Sequence, residues 1–377
     1  MQVYLDNAAT TSLDEQVLEA MLPFMKDQYG NPSSIHSHGR KVRSAIEQSR
    51  KQIADLFNTS PSEIFFTSGG TEADNTALTQ SITTGGIRSV LTSKLEHHAV
   101  LHTLEQWHKR RLIELDFVGH DEKGNINLDE LGEWVKTHPG SLVSLMHANN
   151  EIGNILDLKA VAEACKEHKV VLHSDTVQTV GHYDIDLQEI PVHCIAGAAH
   201  KFHGPKGVGF MYINHEHSID PYIHGGSQER NMRGGTENVY GIVGLSKALE
   251  VAYNNLADQR AHIEGLKQRM IDQLAEKIPG VAFNGESADL NKSLYTVLNV
   301  SLPPADDNEM LLFSLDIHKI SASGGSACSS GSSVGSHVLA ALDHDPRRGA
   351  IRFSFSKHNT AEEIDYTVEK LVQITQG

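Results

Sequence analysis

The sequence predicts an α/β domain built on a mostly parallel sheet, followed by a smaller α+β domain, and three observations carry that expectation. Short β-branched or apolar runs recur at 64–67, 89–92, 142–147, 170–174, 194–196 and 208–213, spaced widely enough to leave a helix between most neighbours. Helical spacing fills some of those gaps: Val42, Ile46, Ile53, Leu56 and Phe57 form one apolar stripe, and Leu158, Val161, Cys165 and His168 another. Past Thr236 the pattern changes. Long helices with few breakers run to Lys277, and runs at 295–302, 319–322 and 350–354 then precede a last helical stripe of Ile364, Val368, Leu371 and Val372. The division expected is a large α/β domain over 15–255 and a small α+β domain made from 1–14 and 256–377.

Length and composition narrow the function classes. A chain of 377 residues has ample capacity to bury a core and room for two domains. A formal net charge of −16 argues against a nucleic-acid or anionic-membrane surface, because phosphate binding depends on clustered Lys and Arg. No apolar run approaches bilayer length and the N-terminus has no leader pattern, so a cytoplasmic protein is expected. The 3 cysteines are too few for a disulfide framework and none lies in a C-x-x-C pair. Cys165 falls on a helical stripe and Cys194 in a strand, so both read as core residues. The 23 histidines are scattered without metal-ligand spacing, and no metal site is expected.

Three segments have the form of chemistry at strand ends. In FFTSGGTEADNTAL a strand passes through two glycines into a helix, which places Gly70 and Thr71 at a helix N-terminus able to attract a phosphate. The same residues could form only a turn and a cap. In VVLHSDTVQTVGH an apolar strand ends at Asp175, with Gln178 three residues on; a carboxylate there could hold a protonated pyridine nitrogen or could cap the next helix. AGAAHKFHGPKGVGF sets Lys201 between a strand end and a Gly-Pro turn, where a lysine could form a Schiff base. Lys206 is its rival on sequence alone. A fourth segment, SASGGSACSSGSSVGSHVL, sets Cys328 among glycines and serines with nothing apolar to bury the thiol, as a mobile nucleophile or an incidental linker residue would be.

The motifs YLDNAATT (4–11), NPSS with His36 (31–36), TSGGTEADN (67–75), EHHAV (96–100), NNEIG (149–153), DTVQTVG (175–181), HKFHGPKGVG (200–209), GGSQERNMRGGTENV (225–239), GSACSSG (325–331) and IRFSFSKHNTAEEID (351–365) occur in that order. From end to end the chain resembles the cysteine desulfurases of the IscS/NifS type, within the class V, fold-type I enzymes that use pyridoxal 5′-phosphate (PLP). The resemblance implies a seven-stranded, mostly parallel sheet in the large domain. It implies that Lys201 carries the cofactor, that Asp175 holds the pyridine nitrogen, and that Gln178 and Asn150 contact the ring hydroxyl side. Gly70, Thr71 and His200 would hold the phosphate, and His97 would stack on the ring and move protons. Arg352, with Asn150, would bind the carboxylate of L-cysteine, a task suited to a planar guanidinium. Thr236 would reach the cofactor of a partner subunit, which makes a homodimer necessary.

On this reading the Cys328 thiolate attacks the substrate sulfur, alanine leaves, and the persulfide is passed to a sulfur-acceptor protein, possibly an iron–sulfur scaffold. A loop of glycine and serine suits such a carrier. One residue departs from the pattern. Many relatives have a phosphate-binding serine two residues before the histidine that precedes the lysine, and here that position is Ala198. Another PLP enzyme of this fold, such as a selenocysteine lyase or an aminotransferase, would not need a thiol in a long loop, and a non-catalytic sulfur- or metal-handling scaffold would not bind PLP.

Overall fold

The computed structural model describes residues 1–304, 310–324 and 335–376. After β1 (Val3–Tyr4) the chain builds one sheet from β2 (Ile64–Thr67), β3 (Ser89–Thr92), β4 (Glu114–Phe117), β5 (Leu142–Ser144), β6 (Val171–Asp175), β7 (Cys194–Ala198) and β8 (Gly209–Ile213). Its seven strands lie in the order β2-β8-β7-β6-β5-β3-β4. Only β8 runs antiparallel to its neighbours, β2 on one side and β7 on the other. The cause is the connection. Between Ala198 and Gly209 the chain has no crossover helix, only the short turn Ala199–Lys201 and the Gly-Pro bend, so β8 folds straight back on β7. The other neighbouring strands pair in parallel, their crossovers made by helices except between β6 and β7, where the long connection 176–193 crosses in turns.

Helices cover the sheet, so its central strands are buried along their length and read in sequence as unbroken apolar runs. Phe57, Ile195, Phe210 and Leu245 are among the residues that close this core. The edge strand β4 is different. It is mostly exposed, and its sequence Glu-Leu-Asp-Phe has no run for periodicity to catch. The expected strand at 142–147 ends at Ser144, beyond which the chain leaves the sheet to form the cavity wall. The helical stretch expected from Thr236 begins at Val239 and divides at Asn255 into Val239–Asn254 and Leu256–Lys277.

A second core forms from the chain's two ends. Strands β9 (Ala282–Phe283), β10 (Val297–Pro304) and β12 (Arg348–Ser354) make an antiparallel sheet, and β1 pairs in parallel with β11 (Ile320–Ser321). Val3 and Leu5 pack here with Met270, Leu298, Phe353 and Val368. Each such side chain, fully buried, stabilises the fold by about 1.5–3 kcal/mol. No helix among the described residues is long and apolar enough to cross a membrane.

Candidate active site

The parallel strands end together, and the cavity lies where open α/β sheets bind ligands. Gly70 and Thr71 follow β2, His97 follows β3, Met146, Ala148 and Asn150 follow β5, Asp175 ends β6 with Gln178 beyond it, and Ala198, His200 and Lys201 end β7; all line one cavity. Ala8, Ala9 and Arg352 complete it from the second core's side. The nine expected positions from Gly70 to Arg352 that belong to a single subunit's site are thus brought together. Thr236 is not among them. It lines a separate cavity with Thr67, Ser68 and Gly207. Cys328 lies outside the described residues.

At one end of the cavity the helix Gly70–Thr83 starts without a side-chain cap among the described residues. The nearby Ser68 amide is satisfied by Glu72 Oε2 at 2.9 Å, and Arg233 holds that carboxylate from its far side at 2.9 Å. The first helical amides remain as donors for an anion. Gly70 must be glycine, since a Cβ would meet Val177 Cγ2 at 2.6 Å. His200 receives or gives a hydrogen bond at Thr10 Oγ1, 3.2 Å away, and burial, helped by Lys201 and Lys206, pushes it down to about 4. It can serve an anion at neutral pH as a neutral N–H donor.

Lys201 donates from Nζ to the carbonyls of Ala8 at 2.5 Å and Ala9 at 3.0 Å, while Lys206 is exposed and absent from the cavity lining. Geometry thus separates the two lysines. The Lys201 backbone is held by His182, whose Nε2 donates to the Lys201 carbonyl at 3.1 Å while Nδ1 accepts from Tyr295 at 3.0 Å. Burial keeps His182 neutral, which that donor–acceptor pairing requires.

Asp175 is buried, and its Oδ1 accepts from the Val177 amide at 2.9 Å. It makes the local turn that sequence allowed and also faces the cavity. Beneath it lies a carboxyl that sequence reasoning missed. Asp74 is 1 % exposed and lines the cavity, with Oδ1 3.2 Å from His173 Nε2 but without hydrogen-bond alignment. Burial, then Asp175 and Glu96, raise the Asp74 carboxyl well above the usual range, and burial pushes His173 down to about 3. Burial thus works against the charged form of both partners.

His97 caps the helix His98–Lys109, its Nδ1 accepting from the Ala99 amide at 3.1 Å. Burial lowers its pKa, so it is neutral with its proton on Nε2. Accepting a proton would cost that cap, worth about 1 kcal/mol. Gln178 Nε2 donates to the Ala8 carbonyl at 3.1 Å. Arg352 is 1 % exposed; its two terminal nitrogens donate to the Asn150 carbonyl at 2.8 Å and to Asp6 at 2.9 Å. Its Nε has no hydrogen-bond partner among the described residues, a buried donor held ready for an acceptor.

A model of the family "Aminotransferase class-V" matches residues 3–367. The chain belongs to the class-V aminotransferase family. Relatives within reach of it carry a narrower name: "Cysteine desulfurase IscS" of Clostridium botulinum (strain Hall) is 41% identical over 378 residues, spanning 99% of this chain and 94% of that one. The protein of the same name in Dictyoglomus turgidum is 41% identical over 383 residues, 100% of this chain and 95% of its own. A solved "NifS-like protein" superposes with a TM-score of 0.91 at 37% identity, covering 100% of both chains.

The class-V family is PLP-dependent, and the cavity fits that cofactor: an uncapped helix start for phosphate, a lysine amine, a buried carboxylate and an orphaned guanidinium N–H. Asp74, Asp6, His182 and the carbonyls of Ala8 and Ala9 are the contributors that sequence reasoning did not assign. Ala8, Ala9 and Asp6 lie in the motif YLDNAATT and Asp74 in TSGGTEADN, so the motifs were the available signal, though nothing in them told the role.

Proposed function

We propose that this chain is a PLP-dependent cysteine desulfurase that converts L-cysteine to L-alanine and leaves the sulfur as a persulfide on Cys328. The observation that carries the reading is the convergence, in one cavity, of Lys201, Asp175, the uncapped helix start at Gly70 and the orphaned Nε of Arg352. Lys201 would hold PLP covalently, Asp175 its ring nitrogen, and Gly70, Thr71 and His200 its phosphate; bound there it would supply the electron sink that lets the bond between carbon and sulfur break.

The chain's own residues do the rest. Arg352 takes the substrate carboxylate through Nε and its remaining N–H groups, with Asn150 beside it, and fixes the substrate's orientation. Asn150 and Gln178 serve the ring hydroxyl side. His97 would stack on the ring and move protons there; from its neutral form it takes a proton before it gives one, releasing the Ala99 amide from Nδ1 as it does so. The Cys328 thiolate attacks the substrate sulfur: a sulfur–sulfur bond forms, the carbon–sulfur bond breaks, and the carbon, once protonated, leaves as alanine. The atoms balance as cysteine plus thiol giving alanine plus persulfide, with no outside oxidant. Burial pushes the thiols of Cys165 and Cys194 up to about 12, so neither is suited to this role.

Our reading extends to the division between 15–255 and the flanking 1–14 and 256–377, supported by the pairing of β1 with β11 and the break at Asn255. It includes a homodimer, because Thr236 faces a cavity other than this chain's own site. It also includes persulfide transfer to an acceptor such as an iron–sulfur scaffold, and a cytoplasmic setting, where free thiols persist. Mass spectrometry after cysteine and before any reductant tests it. The added sulfur should map to Cys328, and Cys328→Ala should bind cysteine and alter the cofactor spectrum without forming persulfide. Sulfur on Cys165 or Cys194, with Cys328 unmodified, would refute the mechanism.

A further inference from the structure

The described chain stops at Gly324 and resumes at Gly335; the first flank of the segment that carries Cys328 is bonded to the cavity residue Arg352, and the second to Glu151 and Glu96, the sequence neighbours of the cavity residues Asn150 and His97. On the first flank, Ser323 and Arg352 exchange backbone hydrogen bonds, 3.2 Å from the Ser323 amide and 2.6 Å to its carbonyl. Arg352 thus holds one flank with its backbone while its side chain faces the substrate site. On the second flank the fastening is a side chain. Ser336 Oγ donates a short hydrogen bond to Glu151 Oε2 and accepts from the Leu339 amide at 3.0 Å, capping the helix His337–Ala341. His337 Nε2 donates to the Glu96 carbonyl at 2.9 Å, and its ring lies 4.4 Å from that of His98. Val338 and Leu339 pack on Leu95 and Ile152. The flank therefore rests on the segments that present His97 and Asn150 to the cavity.

Glu151 is the unusual member of this group. It is 1 % exposed, yet Ser336 occupies only one of its oxygens. The other, Oε1, has no hydrogen-bond partner among the described residues and stands 4.0 Å from His337 Nδ1, which has none either. A buried carboxylate is costly unless paired, and an apolar residue of similar size would pack here at less cost. Its retained bond goes to Ser336, the second residue after the described chain resumes.

We propose that Glu151 is a positioning residue for sulfur transfer, holding Ser336 and His337 against the cavity wall so that the Cys328 segment is fastened on both flanks. Among the described residues Glu151 hydrogen-bonds no side chain of the cavity lining; it acts through Ser336. The proposal rests on Cys328 being the sulfur-accepting thiol.

The test separates sulfur transfer from substrate binding in the PLP-loaded enzyme. In Glu151→Ala and in Ser336→Ala, the cofactor content and the spectral change on adding cysteine should stay within about twofold of the parent, whereas persulfide formation in a single turnover should slow about tenfold or more, as misplacement of a reacting group does. Ser336→Thr keeps the hydroxyl and should restore most of the rate. A role confined to folding would lower cofactor content and both rates together, with no split between them, and would overturn the proposal. So would an unchanged rate of persulfide formation on Cys328 in both variants. If Glu151→Ala fails to fold, the Ser336→Ala and Ser336→Thr pair decides alone. Sulfur mapped away from Cys328 in the unsubstituted chain would instead overturn the functional reading, an outcome distinct from either of these.

Discussion

The two ends of the cavity handle charge in opposite ways. At the phosphate end, the helix start at Gly70, the exposed Thr71 and the neutral N–H of His200 make a donor-rich site close to solvent. At the floor, Asp74, Glu96 and Asp175 come together in the buried interior, where Glu96 Oε1 accepts from the Met146 amide at 2.6 Å. Burial above all, with the nearby Asp175 charge, raises Glu96 and Asp74 well above the usual carboxylate range. The difference shows how the site assigns roles. Donors near water bind an anion by geometry alone, while below them burial works against the charged forms of Asp74 and Glu96.

That contrast can be broken outright at the amine between the two ends. Lys201→Ala should abolish the borohydride-reducible link between chain and cofactor and lower activity by roughly 10³-fold or more. A reduced label that persists and maps to Lys206 would contradict the assignment. Next in size is the floor's charge. Asp175→Asn should cost on the order of 10²-fold or more in turnover, as loss of a buried electrostatic partner does, whereas Asp74→Asn, which removes a carboxyl whose charged form burial disfavours, should keep turnover within about threefold. Equal losses in steady-state assays of the two variants would show that Asp74 is charged.

The phosphate end offers a gain. Ala198 is buried in the cavity wall, and Ala198→Ser should add one hydrogen bond to a charged group, worth about 1.5 kcal/mol, and slow PLP loss on dialysis about tenfold. Loss at the parent rate would mean that this bond is already supplied by another group.

The smallest effect is on stability. Because Asp74 has its folded pKa raised, its contribution is fully present below the unfolded value of 3.8 and is lost as pH rises toward the folded one. Asp74→Asn should therefore flatten the decline of the urea midpoint as pH rises above about 4, leaving the part due to Glu96. His173 acts in the opposite direction. Lowered to about 3, it withdraws stability as pH falls from 6.5 toward that value, in parent and variant alike. A midpoint profile unchanged by Asp74→Asn would place the proton elsewhere in the cluster.

Much of the frame was legible in the sequence. The runs at 64–67 and 89–92 coincide with β2 and β3 because a strand covered on both faces must be apolar throughout and is bounded by turn residues. Cys165 and Cys194 are core residues as their spacing indicated, and the end-to-end order of motifs identified the family before any contact was known. The sequence by itself thus determined the fold class and the residue types gathered for chemistry, since periodicity and turn composition are local properties. Tertiary structure decided what depends on proximity across the chain: that β8 runs antiparallel, that Lys201 rather than Lys206 reaches the cavity, that residues 8 and 9 meet Lys201, and that burial raises Asp74. Burial and electrostatic coupling arise only when distant segments exclude water from the same volume, and no local pattern encodes which segments will do so.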